Sequence, residues 1–240
     1  MTNALDDYLA AYHDDFPYAY DNAIILDWYP RQIIARTPPD ARVLELGVGH
    51  GLTCQRFAEF FQSYEVVDGS QAVIDQFRQK YPDTRAVTHQ AYFEDFEPTG
   101  HYDLIIMGFV LEHVSDPAAI LHRYRPYLAQ GGQIVVAVPN AASLHRRFGQ
   151  AAGLLPDLMA LGAGDRMLGH LRLFTVETLQ DLLEQTGHTV TAKEGIFLKP
   201  FTTDQLRRLD LSPDVLRAMC SVGRDYPELS AALLFTACAR

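Results

Sequence analysis

The sequence predicts an α/β protein with a doubly wound, mostly parallel seven-stranded sheet whose last strand is antiparallel. From about residue 40 onward, short runs rich in Val, Ile and Leu alternate with amphipathic stretches of three or four helical turns. This alternation is typical of parallel sheets with helical crossovers. The runs are apolar on both faces, as strands covered by helices on both sides must be. An N-terminal helical segment and a helical lid complete the predicted architecture.

The strands are predicted from the apolar runs. The runs GIFLKP and ALLFTACAR predict two final strands, adjacent and antiparallel, with a helical segment over 203–223 between them. The five runs that predict parallel strands are 42–46, 64–68, 85–89, 102–107 and 133–138.

The helices are predicted from their amphipathic patterns and their capping residues. Residues 52–62 and 71–80 are the first two, and the Ser70 hydroxyl can cap the second by accepting from a free backbone N–H. Pro117 suits the start of a later helix, and Gly131-Gly132 predicts its end before the fifth strand. Thr175 predicts the N-cap of a further helix.

Composition and charge exclude several classes of protein. The chain has 240 residues, of which 48% are apolar and 21% charged, as in globular proteins with a sizeable core. A net charge of -10 argues against nonspecific nucleic-acid binding. The three cysteines lie far apart without zinc-ligand spacing, so neither a disulfide framework nor a structural metal site is expected.

Nothing in the sequence predicts a membrane span or a targeting segment. The longest apolar stretch, 104–111, is far below the roughly 18 residues of a transmembrane helix. The first residues, MTNALDDYLA, carry two acids and no basic region. We therefore expect a cytoplasmic protein.

The stretch VLELGVGHG carries the most chemical information, because the first strand runs into Gly47, Gly49 and Gly51 ahead of a helix. Glycine permits a close approach of the backbone to a ligand, beside the free N–H groups of the helix N-terminus. The spacing GxGxG departs from the GxGxxG of dinucleotide-binding proteins, whose third glycine would stand at Leu52. Glu45 suits a ligand with a cationic amino-acid end, or it orders the loop by accepting backbone N–H bonds; the sequence leaves both open.

An acid at the end of the second strand complements the glycine turn. Asp68 lies 21 positions beyond Gly47 in VVDGS, where a carboxylate can accept both hydroxyls of a ribose. Gly69 and Ser70 complete this predicted binding turn. The alternative is a structural, helix-capping aspartate.

Together these motifs resemble those of class I S-adenosylmethionine (SAM)-dependent methyltransferases of the seven-stranded Rossmann-like type, over roughly residues 40 to 195. The first motif of that family matches Glu45 and the three glycines, and its ribose acid matches Asp68. HYDLIIMGFVLEHVSDP resembles the fourth-strand motif of small-molecule members, and LAQGGQIVVAVPN resembles the fifth-strand motif. The resemblance implies a SAM-dependent methyltransferase with a small-molecule substrate.

The resemblance also assigns further cofactor contacts. The adenine-flanking loop falls on AYFEDF, where Tyr92 replaces a frequent acid, so backbone N–H groups and the Phe93 ring would contact adenine. Met107 and Gly108, at the end of the fourth strand, would shape the channel for the methyl group. Tyr20 would close over the sulfonium by cation–π attraction, or it packs against protein.

We expect one methyltransferase domain over 1–240, composed of four parts. The first is aromatic and acidic and ends at Pro38-Pro39, and the third is rich in Gly, Leu and Met. In chain order the parts are an N-terminal helical cap (1–39), a cofactor-binding core (40–140), a lid (141–172) and the C-terminal part of the sheet (173–240).

Methyl transfer to an alcohol or phenol oxygen requires a proton acceptor. We expect O-methylation with proton removal by a histidine. The resemblance places His113 nearest the methyl group, although Glu112 and His113 could equally cap the following helix or hydrogen-bond to the loop backbone. His145 and His170 are the other candidates, with a surface or loop-ordering role as the alternative. Because Met107 and Gly108 replace the carboxylate of magnesium-dependent catechol-type enzymes, we expect metal independence.

The predicted lid concentrates basic and polar residues in an acidic protein. Asn140, Arg146 and Arg172 are predicted to bind the substrate, since Arg can contact a carboxylate or phosphate with two parallel hydrogen bonds. The alternative is salt bridges to the acidic N-terminal segment.

Other functions stay open at this point. SAM could react within its own aminobutyl chain by cyclisation or elimination, or the chain could be a noncatalytic SAM-binding partner subunit. An NAD-linked oxidoreductase is disfavoured by the glycine spacing. We expect no nucleic-acid or membrane partner, and a homodimer only as a family-level expectation.

Overall fold

The computed structural model describes residues 19–240. Residues 1–18 of the predicted N-terminal cap lie outside the described residues. The described strands form one seven-stranded sheet in the order β3-β2-β1-β4-β5-β7-β6. Their bounds are β1 (Arg42–Leu46), β2 (Ser63–Asp68), β3 (Val87–Gln90), β4 (Tyr102–Gly108), β5 (Leu128–Pro139), β6 (His188–Ile196) and β7 (Ala232–Ala239).

The pairing of the strands confirms the predicted fold class. Strands β1 to β5 pair in parallel, and β7 runs antiparallel to both β5 and β6. The first strand, β1, lies between β2 and β4, so the carboxyl ends of these three strands open on one edge of the sheet. That edge is where open α/β sheets bind their ligands.

The helices begin at the capping residues that the sequence predicts. The Ser70 hydroxyl accepts from Val73 N–H, and the Thr175 hydroxyl accepts from Thr178 N–H. Pro117 opens its helix as predicted, with Asp116 as the cap. The helices are α1 (Ala19–Ile34), α2 (Leu52–Phe60), α3 (Gln71–Lys80), α4 (Pro117–Tyr124), α5 (Leu144–Ala151), α6 (Ala163–Met167), α7 (Val176–Gln185), α8 (Thr203–Leu209) and α9 (Pro213–Gly223).

Helices on both faces of the sheet create two apolar clusters. Successive residues of a strand point to opposite faces, and in β4 Leu104 and Ile106 belong to one cluster while Ile105 and Met107 belong to the other. Each fully buried aliphatic side chain contributes about 1.5–3 kcal/mol of transfer free energy. The central strands are therefore a rigid base for the loops at their carboxyl ends.

Two predicted boundaries are wrong. Gly131-Gly132 does not end α4; both glycines lie inside β5, where the pairing shifts register between Tyr102 and Leu104 and Gly131 has a φ of 77°. The strand continues through this bulge because glycine adopts a positive φ without strain. The run GIFLKP is a strand only up to Ile196, and it continues the strand that starts at His188.

The predicted helical segment over 203–223 is two helices. Helix α8 ends at Asp210, which adopts the left-handed conformation with a φ of 45°. Pro213 then opens α9. A proline lacks the N–H that would have continued the first helix, so the interruption follows from the residues at the junction.

Gly51 and Gly153 offer a matched test of the glycine turn, because both have a φ of 72°. A Cβ at Gly51 would lie 2.6 Å from Cδ2 of Phe77, whereas a Cβ at Gly153 would meet nothing within 4 Å. We expect Gly153→Ala to lose about 1–2 kcal/mol of unfolding free energy from the left-handed backbone. Gly51→Ala should lose about 1–3 kcal/mol more from overpacking. Urea unfolding of both variants measures this, and equal losses would contradict the role assigned to Phe77.

Candidate active site

One cavity of about 800 Å³ opens where the loops after β1, β2, β4 and β5 meet the 162–173 segment and α1. This volume lies in the upper part of the range of ligand pockets. The sequence-predicted site residues that line it are Glu45, Gly47, Gly49, Asp68, Gly69, Ser70, Tyr92, Phe93, Gly108, His113, Asn140, His145, Arg146 and His170.

Four predicted site residues do not line this cavity. The ring of Tyr20 packs under the Arg207 guanidinium, with 5.9 Å from Cζ to the ring centroid, so its predicted cofactor contact is replaced by packing between α1 and α8. Gly51 is the N-cap of α2 and faces Phe77. Its role is to turn the chain into the helix.

The other two are Met107 and Arg172. The Met107 side chain is fully buried in one apolar cluster of the sheet, and only its neighbour Gly108 faces the cavity. The Arg172 guanidinium donates to three backbone carbonyls of the loop after β4 instead of facing a substrate. Arg172 therefore holds the 170–172 turn against that loop.

The Asp68 carboxylate connects the loops that follow β1 and β2. Its Oδ2 accepts from Val48 N–H at 2.9 Å and its Oδ1 accepts from Ser70 N–H at 2.8 Å. Burial raises the pKa of Asp68, against the opposite effect of the backbone N–H groups of Ser70, Val48 and Gly49. Each carboxylate oxygen has two lone pairs, so both oxygens keep capacity to accept from a ligand.

Glu45 lines the cavity, and the ligand contact that the sequence predicts for it stays a prediction, while side chains rather than backbone N–H groups hold its carboxylate. Its carboxylate is buried and accepts from three side chains: the Thr53 hydroxyl at 3.4 Å, the Cys54 thiol at 3.3 Å and the Tyr64 hydroxyl. Burial raises the pKa of Glu45 to about 7, against the lowering effect of these hydrogen bonds. The residue joins the first turn of α2 to β1 and β2 directly beneath the glycine turn.

The structure brings His113 and His170 together. Their rings pack edge to face with centroids 4.8 Å apart, and Nδ1 of His170 lies 3.3 Å from Oδ1 of Asp165. Part of His113 is exposed, but desolvation by the surrounding protein, and then the neighbouring His170, lower its pKa to about 4. His113 is therefore a neutral imidazole at pH 7.

Glu112, which the sequence offered only as a helix cap or loop acceptor, belongs to the same cluster. Its side chain is 0% exposed, it faces the cavity, and neither carboxylate oxygen has a hydrogen-bond partner among residues 19–240. Burial raises its pKa to about 8. The cap of α4 is instead Asp116.

His145 lies at the other side of the acceptor end of the cavity. Its Nδ1 pairs with the Ser143 hydroxyl at 3.2 Å. Burial, followed by the charges of Lys199 and Arg146, lowers the pKa of His145 to about 3. Each of these cations has its own carboxylate: Lys199 pairs with Asp21, and Arg146 lies 3.7 Å from Asp165.

Asn140 is held by the backbone around it. Its amide nitrogen donates to the carbonyls of Pro227 and Ser230 at 3.0 and 2.9 Å, and its oxygen accepts from Ala142 N–H at 2.9 Å. Both amide N–H groups are thereby occupied. The side chain joins the end of β5 to the turn before β7.

Arg146 likewise holds its own segment. It donates to the backbone carbonyls of Ala141, Leu158 and Ala160, and its guanidinium lies 3.7 Å from the Asp165 carboxylate. Most of the Arg146 N–H groups therefore donate to backbone carbonyls, two of them in the 158–160 turn, instead of forming the predicted pair of parallel hydrogen bonds with a substrate carboxylate. What Arg146 contributes to the cavity is positive charge.

Sequence reasoning missed two features of the cavity wall. The Tyr29 hydroxyl occupies the space that a side chain at Gly108 would need, 2.6 Å from the position of a Cβ. Lys199 forms a buried ion pair with Asp21, and Thr203 hydrogen-bonds to both of them. The aromatic and acidic composition of α1 was the sequence feature that could have indicated Tyr29 and Asp21 as site residues. No comparable feature indicated Lys199, which follows the apolar run GIFL.

A seven-stranded sheet in this order, with a glycine turn after β1 and an acid after β2 on one cavity, defines the class I SAM-dependent methyltransferases. The chain belongs to the methyltransferase domain family, whose sequence profile matches residues 19–193. SAM is the cofactor of this class. Among residues 19–240, no helix has both the length and the apolar character needed to cross a membrane.

Relatives of known sequence include trans-aconitate 2-methyltransferases. That of Acidovorax sp. (strain JS42) is 29% identical over 161 residues, which are 63% of this chain and 60% of the relative's length. That of Variovorax paradoxus (strain S110) is 26% identical over 230 residues, covering 84% of this chain and 86% of the relative. The chain thus spans less than two thirds of the Acidovorax relative.

Solved structures share the fold at low identity. A SAM-dependent methyltransferase from Mesorhizobium loti matches with a TM-score of 0.60 and 21% identity, over 90% of this chain and 100% of that chain. The N-methyltransferase NodS from Bradyrhizobium japonicum WM9, in complex with S-adenosyl-L-homocysteine, matches with a TM-score of 0.57 and 15% identity, over 94% and 89% of the two chains.

Glu45 makes folding stability depend on pH. Its pKa is about 7 in the folded chain, whereas the ordinary value for a glutamate is 4.5, so between these values the unfolded chain ionises while the folded chain stays protonated. Stability therefore falls as pH rises, by up to about 1.4 kcal/mol per pH unit for one proton. We expect the unfolding free energy of the wild type, relative to Glu45→Gln, to fall from pH 5 to 7 and to level off above.

Urea unfolding at four pH values between 5 and 8 measures this difference. Replacement of the exposed Glu97 by Gln is the matched control. A difference between wild type and Glu45→Gln that stays constant over this range would show that Glu45 ionises normally in the folded chain.

Proposed function

We propose that this protein transfers the methyl group of SAM to an oxygen atom of a small-molecule metabolite. The observation that carries the proposal is the continuous cavity of about 800 Å³, which is lined both by the glycine turn with Asp68 and by three histidines. A cofactor and a small acceptor can lie in such a space end to end. That arrangement is what an in-line displacement at the methyl carbon needs.

The cofactor end has the groups that a nucleoside and an amino-acid tail require. Asp68 has acceptor capacity left for ribose hydroxyls, and Tyr92 and Phe93 present rings to the same cavity for adenine. Gly47 and Gly49 let the backbone approach the ligand closely. Gly108 keeps the wall beside the sulfonium thin, with the Tyr29 hydroxyl behind it.

The acceptor end favours an acidic oxygen. When the acceptor oxygen attacks, a carbon–oxygen bond forms, the carbon–sulfur bond breaks, and S-adenosyl-L-homocysteine leaves. The pKa of His145, lowered to about 3 by burial and by Lys199 and Arg146, keeps the ring neutral but makes it a weak proton acceptor. A carboxylate is already ionised at pH 7 and requires no proton acceptor.

Two further observations support an acid as substrate. Lys199 and Arg146 place two cationic side chains in the wall of the cavity, each beside its own carboxylate, and these can donate to an anion. The similar enzymes from Acidovorax and Variovorax carry the name trans-aconitate 2-methyltransferase. For a hydroxyl acceptor, a histidine of the set His113, His145 and His170 would have to take the proton.

The test is incubation with SAM and a panel of carboxylic acids, phenols, alcohols and amines. Release of S-adenosyl-L-homocysteine and of methylated product is quantified by mass spectrometry. We expect S-adenosyl-L-homocysteine with an O-methylated product, formed fastest from the acids. Methylthioadenosine as the product would instead select a reaction of the aminobutyl chain, and tight SAM binding without any turnover would select a noncatalytic subunit.

Asp68→Ala tests the cofactor end. We expect SAM binding to weaken by about 1–3 kcal/mol, since hydrogen bonds to a charged group are lost, and calorimetric titration measures this. Replacement of the exposed Asp83 by Ala is the control for a lost negative charge. Unchanged SAM affinity in Asp68→Ala would leave Asp68 with only its contacts to Val48 and Ser70.

A further inference from the structure

We propose that Glu112, His113 and His170 bind a divalent transition-metal ion in the wall of the cavity. Their ligand atoms, one carboxylate oxygen and two imidazole nitrogens, all lie within 4.8 Å of one another. All three residues line the cavity. The role of the ion rests on the proposed function, whereas its binding does not.

The Glu112 carboxylate points to a ligand because it is buried without a partner. The side chain is fully buried, and in the described part of the chain neither oxygen accepts a hydrogen bond. The neighbouring Arg172 does not fill this role, since its guanidinium donates to backbone carbonyls of the 111–115 loop. A buried carboxylate in this state is costly unless it is protonated or binds a cation.

The two histidines are oriented as metal ligands usually are. A ligating histidine directs its second ring nitrogen at a carboxylate or a backbone carbonyl, which fixes the ring and its tautomer. Nδ1 of His170 lies 3.3 Å from Oδ1 of Asp165, and the His113 ring hydrogen-bonds to the backbone of Gly169. In each ring one nitrogen is left outside that hydrogen bond, and we assign it as the donor for an ion.

The donor set comes from two chain segments that are held together without an ion. The Leu171 N–H donates to the Glu112 carbonyl at 2.8 Å, and Arg172 binds the same loop. Two ligands at about 2.1 Å from one ion are at most about 4.2 Å apart. A pair of donor atoms at 4.8 Å would therefore approach by at least about 0.6 Å on binding, and by about 1.4 Å at the tetrahedral angle, which rotation of both side chains can supply.

Two imidazoles and one carboxylate suit ions such as Zn²⁺, Mn²⁺, Fe²⁺ or Co²⁺. Three protein ligands leave coordination positions open toward the cavity, where an acceptor oxygen could bind and be held ionised. The expectation of metal independence considered only the carboxylate missing at Met107 and Gly108. The donor set proposed here comes from the following loop and from the 162–173 segment.

The experiment is titration of the chelator-treated full chain with Co²⁺, followed by absorption spectroscopy and calorimetry and then by competition with Zn²⁺, all without a methyl acceptor. We expect one Co²⁺ per chain. Glu112→Gln and His170→Gln should each weaken binding at least tenfold. His145→Gln, which removes a cavity histidine outside the donor set, should leave the Co²⁺ affinity unchanged. Thermal unfolding identifies any variant that fails to fold.

Absence of Co²⁺ and Zn²⁺ binding would overturn the inference, as would binding that is equally strong in wild type, Glu112→Gln and His170→Gln. Because no acceptor is present, the result is independent of methyl transfer. Methylation that proceeds without any bound ion would leave the proposed function and the ion site standing and would remove only the role of the ion at the acceptor oxygen. Specific Co²⁺ binding by a chain that methylates no acceptor of the panel would leave the ion site standing and remove the proposed function.

Discussion

The contact on which the cofactor end of the cavity depends is the one carboxylate shared between two loops. β1 and β2 are parallel neighbours, so their carboxyl ends lie side by side, and Asp68 accepts from a backbone N–H of each following loop. The buried Val48 side chain and the Gly47 N–H, which donates to the Val67 carbonyl of β2 at 2.8 Å, also hold the glycine turn. Asp68 adds the contact that joins this turn to the loop after β2, and the pocket lies beside that contact.

At the other end of the cavity, arginines do the equivalent work. Arg146 holds the 158–160 turn and Arg172 holds the 111–115 loop, in both cases by donating to backbone carbonyls. Carbonyl oxygens in loops would otherwise need water, which a closed site excludes. Both arginines, which the sequence predicts to bind a substrate, therefore use most of their hydrogen bonds to hold the loops around the cavity.

Much of the fold could be predicted from the sequence because its signals are local. Alternating apolar runs and the caps Ser70 and Thr175 fix the positions of elements without reference to distant residues. The glycine turn and Asp68 were also predictable, since parallel strands bring consecutive loops to one edge. The bulge at Gly131 was not, because a glycine pair that ends a helix has the same local appearance as one inside a strand.

Which predicted residues face the cavity is not decided by their spacing in the sequence. Tyr20 and Tyr29 are nine positions apart on α1, and at 3.6 residues per turn they point to opposite sides. Only one could face the cavity, and the sequence does not say which. Met107 and Gly108 present the same problem in a strand, where neighbours alternate between faces. The sequence did not indicate Glu112 as a ligand, because what distinguishes it is a buried carboxylate without a hydrogen-bond partner among residues 19–240.

The position of β7 has a consequence for how the chain acquires its structure. This strand, the last along the sequence, lies inside the sheet between β5 and β6. Until residues 232–239 are available, β6 has no hydrogen-bonded neighbour and β5 presents an open edge. During synthesis the first five strands can pair in order. Until β7 is added, the open edge of β5 and the unpaired β6 stay exposed, and such a state is prone to association with other chains. Completion of the sheet is therefore the late, nonlocal event in the folding of this protein.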